Sequence, residues 1–310
     1  MNKVKFSVFS DLHYRKGNWN WAKERLEQIF DRAVKSGSQF IMHCGDFCHN
    51  INDAKDIIER YNNFSIPTFH TMGNHDFEES SDIFEVCQAF KMGRQSHYSF
   101  EIGNIRFISL DSNFFHDDDG NLCHYASAST YAKCHQVEQS LSPEELDFLN
   151  HELESCKGTA VIFSHSSVNK FNGITNRNEA KEIVLRHPDV PVLWINGHFH
   201  RNSLSVTNNL AVFDLNSTTS DWINTPHNGY PPELMAKFHL SNHVLLYDTP
   251  VHAVVTVSDD GEINIEGMEG SMYLGVTRET TGNPVYDSNG LPCDASVLSA
   301  HFQICTSNLK

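Results

Sequence analysis

Five apolar runs in this chain end in side chains that bind cations. "FSVFSDLH" closes on Asp11 and His13, "FIMHCGD" on Asp46, and "TFHTMGNHD" on Asn74, His75 and Asp76. "AVIFSH" closes on His165, and "VLWINGHFH" on His198 and His200. Polar side chains in that position gain nothing from a hydrophobic core. Imidazoles and carboxylates together suit borderline and hard divalent ions such as Zn, Mn and Fe, with no thiolate required. In Asp11-x-His13 and His198-x-His200, alternate residues of an extended chain point the same way. One short segment can then give two donors to one ion, or one donor to each of two neighbouring ions. A glycine precedes Asp46, Asn74 and His198, where a backbone can turn without a Cβ penalty. Singly, each residue has a plainer reading: His165 as a satisfied buried histidine, Asp11 and Asp46 as turn formers, Asn74 as a left-handed residue. Jointly they read as a metal site.

Such donors meet only if the elements before them converge. "KVKFSVF", "QFIMHC", "IPTFHTM", "TAVIFS" and "VPVLWI" read as strands. Helical spacing of Ala22, Leu26, Ile29, Phe30 and Ala33 predicts an amphipathic helix over 20–36, and "NDAKDIIERYNNF" a second. Residues 80–90 and 178–187 read as two more. Ser142-Pro143-Glu144-Glu145 is a helix start, with a capping Ser, Pro in the first turn and Glu three residues after the cap; Leu146, Leu149 and Leu153 form its apolar face. Hairpins are expected around Gly103-Asn104, Asn208-Asn209 and Asp260-Gly261. In such an α/β arrangement the carboxyl ends of the strands converge on one edge, where ligand sites form. Two long polar segments, 112–140 and 216–240, interrupt the pattern, and long loops of this kind often cover sites.

The composition sets outer bounds. Within 310 residues, 23 Lys+Arg stand against 39 Asp+Glu, a formal charge of −16. Such a surface repels phosphate backbones and anionic lipid, which disfavours nucleic-acid and membrane-surface partners. The eight cysteines have no regular spacing, and the Cys44/Cys48 pair has no matching second pair, so a structural zinc knuckle is weakly supported. No apolar stretch is long enough for a signal peptide or a membrane span. With the free thiols, that points to a cytoplasmic location.

D-x-H, GD, GNHD, a lone His and GHxH, in that order, resemble the calcineurin-like metallophosphoesterase superfamily. The resemblance covers residues 6 to about 200. It implies an α/β fold, a four-layer α-β-β-α sandwich with two mixed β-sheets, and one domain over 1–310. The ligand core would span about 1–215, and 216–310 would supply a substrate-side loop, strands completing the second sheet, and a tail. It further implies two divalent or transition-metal ions (Mn, Fe or Zn). Asp11, His13, Asp46 and His200 would hold one; Asp46 would bridge to the other, bound also by Asn74, His165 and His198. His75 would sit beside the phosphoryl group and Asp76 would orient His75. The reaction implied is attack of a metal-bound hydroxide on a small-molecule phosphate mono- or diester.

Tyr14, Lys170, Arg177 and Arg201, each near a ligand segment, are candidates to meet a substrate anion, as is Arg15. His49, close behind Asp46, is the one further histidine that stands out as a partner of the ligands. Two other readings stay open: a nuclease of the same superfamily, disfavoured by the charge and the lack of a basic stripe, and a non-catalytic protein-binding scaffold on the same fold. The sequence leaves the oligomeric state open.

Overall fold

The computed structural model describes residues 2–15, 21–80, 82–126, 139–238 and 240–306. Part of the long polar segment, 127–138 with Cys134 and His135, lies outside the described residues. The main strands are β1 (Lys3–Phe9), β2 (Phe40–Cys44), β3 (Thr68–Thr71), β4 (Tyr98–Ile102), β5 (Ile105–Ser109) and β6 (Ala160–Ser164). They continue with β7 (Val192–Asn196), β8 (Ser203–Thr207), β9 (Leu210–Asp214), β10 (Ala253–Ser258), β11 (Glu262–Glu266) and β12 (Ala300–Gln303). Six form one sheet in the order β12-β11-β10-β1-β2-β3, and six form another in the order β8-β9-β7-β6-β5-β4.

Both sheets are mixed. β1, β2 and β3 are parallel, with Phe6 opposite Phe40 and Met42 opposite Phe69; β5, β6, β7 and β9 are parallel in the second sheet. Antiparallel strands form both edges of the second sheet and the β10–β12 side of the first, whose other edge is the parallel strand β3. β2, β6, β7 and β9 are buried at every residue, as parallel strands covered on both faces must be. The three expected hairpins form, β4–β5, β8–β9 and β10–β11, with Gly103, Asn208 and Gly261 all at positive φ.

Between the sheets lies a dry core of Phe6, Phe40, Phe107 and Phe163 with aliphatic neighbours. Phe6 stacks on Phe40 at 4.8 Å, and Phe107 meets Phe40 edge-on at 5.0 Å, arrangements worth roughly 0.5–1.5 kcal/mol each beyond the area they bury. Helices α1 (Trp21–Ser36), α2 (Lys55–Asn62) and α3 (Ile83–Ala89) cover the outer face of the first sheet. Helices α4 (Pro143–Glu154) and α5 (Arg177–Leu185) cover the second. The result is the four-layer α-β-β-α sandwich. Helix α1 buries the five apolar residues that defined its pattern.

Helix α4 departs from the usual capping arrangement. Ser142 Oγ accepts the amide of Glu145 at 3.2 Å, but the Glu145 carboxylate does not reach back to the cap. It is buried, 2.7 Å from His97 Nδ1, and accepts the Asp111 amide at 3.0 Å. Segment 216–240 contributes a short strand, Ser220–Trp222, paired with Val244–Leu246, and a helix, α6 (Pro232–Phe238). Among the described residues no helix is long and apolar enough to cross a membrane.

Candidate metal centre

The loops leaving β1, β2, β3, β6 and β7 meet at one edge of the sandwich. Asp11 N donates to Gly45 O at 3.0 Å, His13 N to Asp46 O at 3.0 Å, and Gly197 N to His165 O at 2.9 Å. Asp11 Oδ2 accepts the amide of His198 at 3.1 Å, tying the first sheet to the second.

The backbone there is strained. Asp11, His13, Asp46, His198 and His200 all have positive φ, between 49° and 71°. A side-chain-bearing residue in the left-handed region costs roughly 1–2 kcal/mol, and such strain persists where the surroundings over-determine it. The glycines have two different reasons. Gly45 is itself left-handed at φ +90°. Gly197 is not: a Cβ there would fall 1.8 Å from Ser10 Oγ, so its role is close approach.

The side chains converge in two sets. Asp11, His13 and His200 form one group whose donor atoms lie within 4.8 Å of one another; Asp46, His165 and His198 form a second. His13 Nε2 and His200 Nε2 are 3.1 Å apart, and His165 Nε2 and His198 Nδ1 are 3.3 Å apart. Asp46 Oδ2 lies 3.0 Å from His165 Nε2 and 3.9 Å from His13 Nε2, so this carboxylate stands between the sets. Asp11 Oδ1 is the clearest sign of a missing partner. It is fully buried and accepts no hydrogen bond, although His200, His13 and His165 nitrogens stand 3.3, 3.7 and 4.0 Å away. A buried, unsatisfied carboxylate oxygen among imidazole nitrogens fits a cation.

Ring orientations agree with that. His200 Nδ1 bonds to Ser220 O at 2.7 Å and His165 Nδ1 to Cys44 O at 2.8 Å. Each therefore turns Nε2 inward as a lone pair when neutral, the usual support for metal-binding histidines. Burial, aided by neighbouring imidazoles, holds His13 well below its ordinary pKa and brings His198 down to about 3, so both rest neutral. Burial would lower His165 as well, but the Asp46 carboxylate overrides it and raises His165 to about 9. Burial would raise the Asp11 carboxyl, yet His200 beside it keeps Asp11 well below the carboxylate range.

Asn74 is buried at the same edge, where Gln139 Nε2 donates to its Oδ1 at 3.2 Å. His75 opens a 3₁₀ turn, His75–Phe77, and its backbone N–H donates to Asp46 Oδ1 at 2.8 Å. Asp76 requires a correction: its carboxylate turns away from His75 into the interior. It accepts the amides of Asp46, Phe47, Cys48 and Gly73 at 2.9–3.2 Å and faces His70 Nε2 at 3.1 Å. Consecutive side chains of a tight turn diverge, so Asp76 organises the Asp46 loop while another residue meets His75. That residue is Glu78, whose Oε2 lies 2.8 Å from His75 Nδ1. Sequence reading missed Glu78; its one signal was the i, i+3 spacing from His75.

Three of the five candidates for a substrate anion are engaged elsewhere. Tyr14 is buried in the outer core, with Lys23 over its ring. Lys170 Nζ bonds to Ser203 Oγ at 3.1 Å and faces Asp214 at 3.5 Å. Arg177 Nη1 donates to Ile174 O at 3.3 Å at the start of α5, and its guanidinium lies over Phe171. The other two lie beside the centre: Arg15 Nη2 stands 2.7 Å from His49 Nδ1 and 3.2 Å from Glu78 Oε1, and Arg201 sits in a cavity of about 590 Å³ lined also by Phe199, Trp222, Arg278, Tyr286 and Asp287. Arg201 Nη1 bonds to Asp221, whereas its buried Nε makes no hydrogen bond. Trp222 stands edge-on to His13 at 6.4 Å, so the cavity wall continues into the centre.

Comparison with known proteins gives a family match and a shared fold. The family model described as calcineurin-like phosphoesterase matches residues 4–202. The serine/threonine-protein phosphatase CPPED1 of Mus musculus is 24% identical over 221 residues, 63% of this chain and 65% of that protein. The match therefore spans a little under two thirds of the relative's length. A dimetal phosphatase from Danio rerio has a similar structure, with a TM-score of 0.58 at 15% identity over 87% of this chain and 98% of that one. GAP50, described as the anchor in the inner membrane complex of Plasmodium, superposes with a TM-score of 0.55 at 13% identity over 99% of this chain and 90% of that one. At these identities the structures show a shared fold.

Proposed function

This chain belongs to the calcineurin-like phosphoesterase family, and from that premise we propose that it hydrolyses small-molecule phosphate mono- or diesters at a two-metal centre. Asp11, His13 and His200 would hold one ion and Asn74, His165 and His198 the other, with Asp46 between them. The observation that carries this reading is Asp11 Oδ1, buried without a hydrogen bond amid three imidazole nitrogens. A pair of bound divalent ions supplies an activated water at neutral pH and charge stabilisation for the phosphoryl oxygens.

The chain's own residues do the rest. Buried carboxylates and imidazoles pre-form the cage. His75, one fifth exposed at the rim with Nδ1 held by Glu78, offers Nε2 to a phosphoryl or leaving-group oxygen. A positioned imidazole acting as general acid typically contributes roughly 10²–10⁴-fold. The cavity beside Trp222 and Arg201 is of the size that ligand sites use and would take the organic part of the ester. The charge of −16 favours a small ester over a polynucleotide, whose backbone that surface repels.

The test compares p-nitrophenyl phosphate with bis(p-nitrophenyl) phosphate before and after chelation. Turnover of at least one ester, lost with EDTA and restored by Mn or Zn, supports the reading. Turnover of neither with metal-replete protein overturns it.

A further inference from the structure

A third group of imidazoles sits beside the centre. His13, His49 and His75 have donor atoms within 4.8 Å of one another, and the ring centroids are 5.1, 4.9 and 4.5 Å apart. Such a cluster is either a further cation site or a hydrogen-bonded chain, and the contacts decide between them. His13 Nδ1 lies 3.1 Å from His49 Nε2, His49 Nδ1 touches Glu78 Oε2, and His75 Nδ1 lies 2.8 Å from that same oxygen. Arg15 Nη2 adds its charge at 3.2 Å from Glu78 Oε1. These ring nitrogens are committed to hydrogen bonds, which leaves no open donor set for another ion.

We propose that Glu78 is a positioning residue for the hydrolytic site, one carboxylate that aims His75 at substrate and, through His49, His13 at the metal. This rests on the functional reading above. The directions follow from a single choice. His13 turns Nε2 toward Asp11, Asp46 and His200, so its proton is on Nδ1 and is donated to His49 Nε2. The His49 proton is then on Nδ1 and goes to Glu78; Arg15 Nη2, 2.7 Å from that nitrogen, is also a donor, so the two share the Glu78 carboxylate rather than bond to each other. His75 donates its Nδ1 proton to the same oxygen, so the nitrogen that can meet substrate is Nε2. Bonds to a charged acceptor are about twice as strong as neutral ones, and this acceptor fixes the tautomer of every ring in the chain. The 3₁₀ turn brings His75 and Glu78 together, since side chains three residues apart eclipse there.

Outer partners of metal-binding histidines typically cost roughly 10–100-fold in metal affinity or activity when removed, and the experiment reads both. At saturating Mn, Glu78→Ala is expected to lower kcat by about 10–100-fold with KM nearly unchanged. Glu78→Gln, whose amide oxygen still accepts one N–H, recovers part of that loss. In a His75→Ala background the same Glu78→Ala change should cost less than about threefold in kcat. Mn titration should show affinity falling about tenfold or more in Glu78→Ala and unchanged in His75→Ala, because Glu78 is linked to His13 by hydrogen bonds through His49 whereas His75 meets His13 only in a ring contact. Equal kcat losses in both backgrounds with unaltered Mn affinity would overturn the proposal. So would a third tightly bound Mn in the wild type that disappears in Glu78→Ala. If the wild type hydrolyses neither nitrophenyl ester, the functional reading falls, and the Mn titrations alone decide the linkage.

Discussion

Asp76→Asn tests the reassignment of Asp76 from a partner of His75 to a brace for the metal loop. Asp76 Oδ1 accepts the amides of Phe47 and Cys48; Oδ2 accepts those of Asp46 and Gly73 and faces His70. An asparagine keeps one carbonyl oxygen but sets an NH₂ group against the donors on the other side. At least two buried N–H groups then lose their acceptor, at roughly 1–3 kcal/mol each. The charge itself adds to this. Burial would raise the Asp76 pKa, but His70 and the amides lower it from 3.8 to about 2, which is on the order of 2 kcal/mol of stability. Because the folded pKa is depressed, that stability is present above pH 3.8 and lost as pH falls through about 2. The expected loss at pH 7 is thus on the order of 3–5 kcal/mol, the range for breaking a buried charge network. Equilibrium unfolding in urea with excess chelator measures it without metal linkage. A loss below about 1 kcal/mol, within the ordinary spread of mutations, joined to a large fall in turnover, would refute this reasoning and restore Asp76 as an orienting partner of His75.

Metal uptake should release a proton from His165, since Asp46 and burial together set it at about 9 and binding requires the neutral ring. Apparent affinity should rise up to about tenfold per unit from pH 7 to 9; calorimetry in buffers of different ionisation enthalpy showing no proton exchange would contradict this. Burial raises Glu145 from 4.5 to about 7. The associated stability, about 3 kcal/mol, is full below pH 4.5 and lost as pH rises through 7, so Glu145→Gln should flatten the decline in stability between pH 5 and 8 in chelator. Trp222→Ala should raise KM for the bulkier ester about tenfold, matching loss of one aromatic contact, with metal content unchanged; an equal effect on a small alkyl phosphate would show that the cavity does not hold the organic group.

Much of this architecture was legible because apolar periodicity and donor chemistry fall in the same short segments. Strands such as "AVIFS" had to be buried on both faces, and what followed them had to stand at the strand ends. His165 and His198 could therefore be placed in one crevice without knowing the twist of either sheet. The contacts that lacked such a tether were not legible. Tyr14, Lys170 and Arg177 each follow a ligand segment in sequence, but a long side chain takes whichever partner its backbone direction offers. For Lys170 that partner is Asp214, at the end of a strand 44 residues onward. Glu78 and Asp76 show the same limit within one turn: a difference of two positions decides which carboxylate meets His75, and dihedral angles settle that. The strain at Asp11 and Asp46 was likewise invisible, since neither residue type by itself calls for a positive φ.

Anomalous scattering from crystals of Mn- or Zn-reconstituted protein tests the two-metal centre most directly. Two peaks are predicted per chain, one bounded by Asp11, His13 and His200, the other by Asn74, His165 and His198, with the Asp46 carboxylate between them. No peak within that cage at saturating metal, or a peak seated instead among His49, His75 and Glu78, would contradict it.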